Sequence, residues 1–484
     1  MMRTTFLLPI LALGVTSACA PDLGPLPQPK PEASLASQKS FTAPAAEWPA
    51  QDWWTAYHDP QLTALIAEGL AGSPDIQIAE ARVREADALA QQSGAALYPH
   101  LTANGSVSVF RESLNQGFPK SFQVFLPHGW HGQAQVTGNA TYDLDLFGAN
   151  RAAFAAATSD ADAAEVDLAG ARLTLSTAIA AAYADLVQLV ADRAASQESL
   201  TEREQSAELV RQRASQQLEN EGELAQALSR SAGAKADLDQ IEGQIELARN
   251  QLAALVGKGP DRGLDIALPG GVQLRPFGVP SMLGVDLIGR RPDIVAARLR
   301  AEAASSRIKV AHAAYYPNIN LNGDLGYQAI GIESLISPAS VIGQLGPAIS
   351  LPIFDGGRIE GGYRDARALY DESVANYDKS LTNALHEVAD ALTNQRELAV
   401  ELADARVALS ESENAYRIAT LRYQGGLSRY LDVLTSEDTL VVQRRRVTDL
   451  QARAFGQDVA LVRALGGGFE TIADSAKNGA SAKE

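Results

Sequence analysis

Apolar positions along this 484-residue chain follow two periods that take turns. Beyond Pro99, Leu101, Ala103, Val107 and Val109 alternate with Thr102, Asn104, Ser106 and Ser108. From Gln133 to Asp145, polar Gln133, Gln135, Thr137, Asn139, Thr141, Asp143 and Asp145 alternate with mostly apolar neighbours. Asn318, Asn320, Asn322 and Asp324 alternate with Ile319, Leu321, Gly323 and Leu325, and a fourth run follows from Gln344 to Leu351. A period of two sends successive side chains to opposite faces, so each run predicts a strand with one apolar and one polar face. Each is about ten residues or more, long enough to cross a bilayer at a tilt. A soluble sandwich with one wet face would alternate in the same way, so the remaining chain must decide.

The second period is helical. No proline occurs between Arg151 and Gly259, or from Ile353 onward. Leu175, Ile179, Ala182, Leu186 and Leu189 step by threes and fours, as do Leu381, Leu385, Val388 and Leu392. Such spacing, sustained over both stretches, predicts long coiled-coil-like helices. Breaks around Gln216–Gly222 and at Gln424-Gly425-Gly426 fold each stretch into an antiparallel hairpin. An arm of about 60 residues would be about 90 Å long at about 1.5 Å per residue. Shorter helices open after Asp59-Pro60 and at Ser73-Pro74, with Ser73 as N-cap and Pro74 in the first turn.

The pattern is written twice. LYPHLTANG (97–105) returns as YYPNINLNG (315–323), and Asp75 returns as Asp293, each 218 positions on. DLDLFGANR (143–151) returns as SLPIFDGGR (350–358), 207 positions on. The first copy therefore carries about 11 extra residues, in the loop FRESLNQGFPKSFQVFLPHGWH. Each half reads as short helix, strand, strand, long helix, turn, long helix. Four strands cannot cross a bilayer alone, because open sheet edges are not tolerated there and bacterial barrels need about eight strands or more. Several copies must pool their strands. Three copies would give twelve strands and twelve helices, with the duplication adding pseudo-six-fold symmetry.

Charge and the chain ends refine this. A net charge of −17 argues against a nucleic-acid partner. The single cysteine, Cys19, rules out an intrachain disulfide. It closes MMRTTFLLPILALGVTSAC, which reads as a secretory signal peptide. A cysteine directly after small residues resembles a bacterial lipoprotein signal, though Thr16 stands where Leu is usual. In that resemblance Cys19 carries the lipid, and Ala20 after it resembles outer-membrane sorting. Residues 20–49 are proline-rich and read as an extended arm. No later stretch approaches 18 consecutive apolar residues, so no transmembrane helix is expected. His128 and His131 sit in an aromatic loop without neighbouring acidic or thiol ligands, so no metal is expected there. Arg444-Arg445-Arg446 reads as a solvated helix face or a partner contact. No nucleotide-binding, metalloprotease or serine-hydrolase signature is present, and no enzyme is expected.

The expected organisation is a signal peptide (1–18), a lipidated arm (19–58), helices of the first repeat (59–97) and a β-hairpin (98–148). A long helical hairpin (149–259) follows, then a linker and helices of the second repeat (260–314). A second β-hairpin (315–355), a second helical hairpin (356–466) and a disordered tail (467–484) complete the chain.

WWTAYHDPQLTALIAEGL, RRPDIVAARLRAEAASSRIKVAHAAYYPNINLNGDLGY, GPAISLPIFDGGRIEGGYRDARA and LRYQGGLSRYLDVLTSE resemble the TolC/OprM-type outer-membrane efflux proteins, especially their lipidated, NodT-like branch. The resemblance implies a homotrimeric channel-tunnel of mixed α and β class. A twelve-stranded β-barrel, four strands per chain, would cross the outer membrane and continue into a twelve-helix periplasmic α-barrel. It implies a periplasmic adaptor and an inner-membrane pump as partners, and a gated passive duct for small molecules. No cofactor is implied beyond a lipid on Cys19. The resemblance also places a periplasmic gate at Tyr423, Arg429 and Asp432, with Arg429 one position off the family arginine and Thr435 where a second aspartate is usual. Three copies of Asp432 would ring the axis with like charge and favour cations. Gly425, Gly426 and Leu427 match the tip turn that the adaptor grips. The first copy has Gln216-Gln217-Leu218 there, so the two tips should not bind an adaptor equally. A type I protein-secretion duct and a tethered periplasmic coiled-coil scaffold or adaptor remain the alternatives.

Overall fold

The computed structural model describes residues 20–31, 35, 39–41, 46–115, 117, 119–270 and 283–470. The signal peptide, Cys19 and the tail beyond residue 470 lie outside the described residues. The chain divides into two compact units. The first holds residues up to 28, 84–163 and 298–376; the second holds 29–83, 164–297 and 377–484.

The first unit is built on one antiparallel sheet of β1 (His100–Phe110), β2 (His131–Asp143), β3 (Asn318–Ile330) and β4 (Val341–Ser350), in the order β1-β2-β3-β4. Register shows why the alternation matters. Thr102, Asn139, Asp324 and Gln344 stand in one cross-strand row, and Leu101, Ala140, Gly323 and Leu345 in the next. Polar rows thus share one face and apolar rows the other. In the single chain the apolar face is bare, with Leu325 69% and Leu345 79% exposed. The polar face encloses a groove of about 420 Å³ lined by Asn104, Ser106, Gln135, Thr137, Asn139 and Asp324, so the sheet curls about its polar side. Glycine is required where β2 and β3 join the two repeats. A Cβ on Gly326 would meet the Val136 carbonyl oxygen and sit 2.7 Å from Thr137 Cα. β1 and β4 each have a neighbour on one side only. The exposed apolar face is unstable in water, and the two open edges are inadmissible in lipid unless further copies continue the sheet.

Helical segments complete the unit. α2 (Pro74–Ala95) leads into β1, α3 (Ala149–Ser215) leaves β2, α7 (Pro292–Ala313) leads into β3, and α8 (Arg358–Gln424) follows β4. An aspartate caps the start of each long helix, Asp145 before α3 and Asp355 before α8, although the 207-residue offset pairs them with Pro352 and Gly148. Asp145 accepts from the Asn150 and Arg151 amides at 2.9 and 3.0 Å, and Asp355 from the Ile359 amide at 2.8 Å. The extended arm is held on this unit. Leu23 and Leu26 pack against Ile308, Tyr363 and Tyr370. Arg367 Nη2 donates to the carbonyls of Gly24 and Pro25 at 2.9 and 3.2 Å.

The second unit is helical. It holds α1 (Pro60–Gly72), the later part of α3, α4 (Glu221–Leu255), α5 (Asp261–Leu264), α6 (Leu283–Arg290), the later part of α8 and α9 (Tyr430–Ala464). Asp59 caps α1 by accepting from the Gln61 and Leu62 amides at 2.8 and 3.0 Å. One core gathers Trp53, Tyr57, Leu62, Ile66, Ile179, Leu186, Leu252 and Phe455, and a second gathers Leu287, Ile294, Leu381, Val388 and Leu461. Arg291 is buried at the head of α7, where it binds Asp293, Glu387 and the Ala464 carbonyl at 2.8, 2.7 and 3.0 Å.

The duplication appears in helix lengths. α3 and α8 each have 67 residues, α4 and α9 each 35, and α2 and α7 each 22. The hairpin arms are therefore unequal, rather than about 60 residues each. The longer helix begins straight off the sheet, whereas its partner ends at the helical core. At about 1.5 Å per residue they span roughly 100 and roughly 50 Å. α3 contains an alanine-rich window apolar enough to pass for a membrane span, and 50% of it is buried inside the molecule.

Candidate functional site

Both hairpins of the second unit end in tips of the same backbone form. α8 closes with the Gly426 amide on the Tyr423 carbonyl (3.0 Å) and the Leu427 amide on the Arg422 carbonyl (2.8 Å). α3 closes with Gln217 on Ala214 (3.0 Å) and Leu218 on Arg213 (2.9 Å). This pattern puts one residue after the helix in the left-handed region. Gly426 takes φ +73° without penalty, while Gln217 takes φ +63° with a Cβ. Leu427 and Leu218 both stand exposed beyond the turn. The predicted tip Gly425-Gly426-Leu427 thus shares its trace with Gln216-Gln217-Leu218, and the two differ in side chain.

The three predicted gate residues do not converge. Tyr423 is 1% exposed and turned inward, among Ala207, Val210, Tyr430 and Leu434. Its hydroxyl donates to Glu219 Oε1 at 2.8 Å, and the Arg213 guanidinium lies 4.7 Å over its ring. Arg213 Nε is 3.4 Å from the same Glu219 oxygen. Asp432 is exposed in the first turn of α9, where its carboxylate accepts from the Arg429 backbone amide at 3.3 Å. It also borders a shallow groove of about 300 Å³ with Ser412, Thr435, Ser436 and Thr439. Arg429 is the residue just before α9, and it is exposed.

Glu219 and Arg213 are the functional candidates that periodicity could not reveal. Glu219 lies in the turn before the Asn220 cap of α4, and Tyr423 reaches it across 204 residues of sequence. Burial alone would raise the Glu219 carboxyl. Hydrogen bonds from Glu223 and Tyr423 and the Arg213 charge outweigh it and hold the group below its usual range. The bond to Glu219, then burial, pushes Glu223 up. Burial first, then Glu219, pushes the Tyr423 phenol well up. The result is a charge-assisted latch from the end of α8 to the tip of the first repeat.

Above the latch, ion pairs fasten α9 to α3 and α4. Arg203 Nε bonds Glu437 at 3.0 Å, Arg230 Nη1 bonds Asp438 Oδ2 at 2.6 Å, and Tyr430 and Ser206 share a hydrogen bond of 2.9 Å. Arg444 approaches Glu198 and Glu202 at 3.4 Å each, and Arg445 bonds Asp237 at 3.0 Å. Of the run Arg444-Arg445-Arg446, Arg444 is half-buried in ion pairs within the chain, whereas Arg445 and Arg446 are exposed, Arg445 with an ion pair to Asp237. His131 Nε2 lies 2.9 Å from the His128 carbonyl, and among the described residues no group of three or more potential ligands could hold a metal.

A family model described as outer membrane efflux protein matches residues 65–258 and 283–467. The chain is 35% identical over 372 residues to the fusaric acid resistance protein FusA of Burkholderia cepacia, covering 74% of this chain and 68% of that protein. It is 28% identical over 475 residues to the multidrug resistance outer membrane protein MdtP of Escherichia coli K12, covering 94% of each. The crystal structure of the outer membrane protein VceC from Vibrio cholerae superposes with a TM-score of 0.83 at 42% identity, over 87% of this chain and 100% of that one.

Proposed function

The chain belongs to the outer membrane efflux protein family, and from that premise we propose that its duct exports small toxic molecules through a gate at the helical tips. It is the outer-membrane channel component of a tripartite efflux system: a trimeric β-barrel in the outer membrane, continued by an α-helical barrel in the periplasm. The family is one of ducts rather than enzymes. The observation that carries the reading is the sheet. Four strands per chain, apolar on one face and polar on the other, with both edges open, make a barrel only when copies are joined.

Several finer statements belong to the proposal. The substrates are small molecules, as the drug and fusaric acid resistance of the named relatives supports. A periplasmic adaptor engages the tips at Gly425, Gly426 and Leu427, and an inner-membrane pump supplies the energy. The gate opens when α8 and α9 leave the first repeat, so the Tyr423–Glu219–Arg213 latch holds the closed state and Arg429 and Asp432 lie at the moving edge. A lipid on Cys19 tethers the arm, which the signal sequence and the Arg367 contacts to residues 24 and 25 support. The test is deletion of the gene in its own host. Greater susceptibility to toxic small molecules, reversed by the intact gene, is expected. Unchanged susceptibility with loss of a secreted protein would replace this reading with a protein-secretion duct.

A further inference from the structure

We infer that Asp324 sets the charge preference of the outer part of the duct, making the barrel lumen favour cations. This rests on the channel reading above. The polar face is the inside of the barrel, because the sheet curls around it and the opposite face carries Leu101, Leu325, Leu345 and Ile349 toward lipid. On that inner face Asp324 stands near the middle of β3, in the row Thr102–Asn139–Asp324–Gln344. Its row mates are amides and a hydroxyl. No Lys or Arg occurs in any of the four strands.

One other carboxylate shares the face, and it is already engaged. Asp143, at the end of β2, accepts from Asn318 Nδ2 at 3.0 Å and from the Asp145 amide at 2.8 Å. Among the described residues no ion pair neutralises Asp324. Strand tilt staggers neighbouring rows, but a three-fold axis along the barrel sets the three copies of Asp324 at one height. Apart from Asp143 at the strand end, whose hydrogen bonds come from neutral donors and leave its charge in place, the face is lined by neutral dipoles. Three Asp324 charges at one mid-strand level, with no Lys or Arg in the strands, raise cation concentration there and lower that of anions. The effect extends furthest at low ionic strength, where screening is weakest.

The experiment is the reversal potential of purified trimers in planar bilayers. A potassium chloride gradient is applied with the dilute side, about 10 mM, at the barrel mouth, where the Debye length is about 30 Å. Wild type should prefer potassium. Asp324→Asn should lower the potassium-to-chloride permeability ratio roughly twofold or more, Asp324→Lys should invert it, and Asn104→Asp should raise it. Trimers of each variant are verified on unheated gels. If the variants conduct with an unchanged ratio, Asp324 does not set selectivity and the inference is wrong. If trimers carry no current even when the latch is released by Tyr423→Phe, the channel reading itself falls and the inference falls with it.

Discussion

Replacing Arg203 by Met should loosen the tip in a pH-dependent way. Glu437 is 1% exposed and has one partnered oxygen, held by Arg203 Nε at 3.0 Å; its other oxygen is buried without a partner. Burial raises its carboxyl and Arg203 lowers it, and burial prevails. Removing the guanidinium leaves a buried carboxylate facing Asp438 and Glu202, which both push it further up. Breaking a buried pair from one side costs about 3–5 kcal/mol while the remaining group stays charged. The carboxyl can escape by taking up a proton. A raised pKa gives stability that is complete below the unfolded value of 4.5 and is lost as pH rises through the folded value. The loss in Arg203→Met should therefore be small near pH 5 and large near pH 8. Hydrogen exchange of the first turns of α9, corrected for intrinsic rates, reads it as local opening. Protection should fall by about a hundredfold or more at the higher pH, since about 1.4 kcal/mol is tenfold. Arg203→Met combined with Glu437→Met should restore protection at both. Equal losses at the two pH values, or no restoration in the double variant, would refute the assignment of Glu437 as the buried charge.

Other consequences follow from the same geometry. Tyr423→Phe removes the hydroxyl held by Glu219, a charge-assisted bond of about 1.5–3 kcal/mol, and should raise the open probability of single channels; unchanged gating would remove the latch from the mechanism. Gly426→Ala meets no atom within 4 Å, so its cost should be the backbone term alone, about 1–2 kcal/mol, whereas Gln217→Gly should stabilise the other tip by a few tenths to about 1 kcal/mol. Local hydrogen exchange at each tip tests both signs. Asp192 is raised to about 6 by burial and by Asp449, with Arg445 opposing. Asp192→Asn should accordingly stabilise the helical unit above about pH 6, by roughly 1–2 kcal/mol after allowing for solvent screening, and leave it unchanged below about pH 4. Denaturant midpoints across that range decide it.

How far the sequence reaches can be seen residue by residue. Period two placed Asn139 and Asp324 on one face and Leu325 on the other, and the register agrees. Asp59, Ser73 and the prolines after them announced helix starts because caps act locally. The match between Gln217 and Gly426 could be aligned, yet nothing in a glutamine announces φ +63°. Glu219 looked like one more acid in a polar turn; its meaning comes from Tyr423, 204 residues away. Tyr423 itself was legible as important through its family match, but its inward orientation was not, because apolar spacing cannot say which repeat a ring packs against. Arg291 illustrates the same limit. It directly precedes a Pro-Asp-Ile motif that repeats 218 residues apart, yet the first repeat has Ser73 at that place, and only tertiary packing shows why a buried guanidinium is needed to join Glu387 to the end of α9.

The most direct test of the account is the mass and symmetry of the detergent-extracted protein, by native mass spectrometry and electron microscopy of one sample. Three chains in a three-fold tube are expected, with β1 and β4 edges closed by neighbouring copies. A single chain, or an assembly without a three-fold axis, would leave both strand edges unexplained and contradict the shared barrel on which every functional statement here depends.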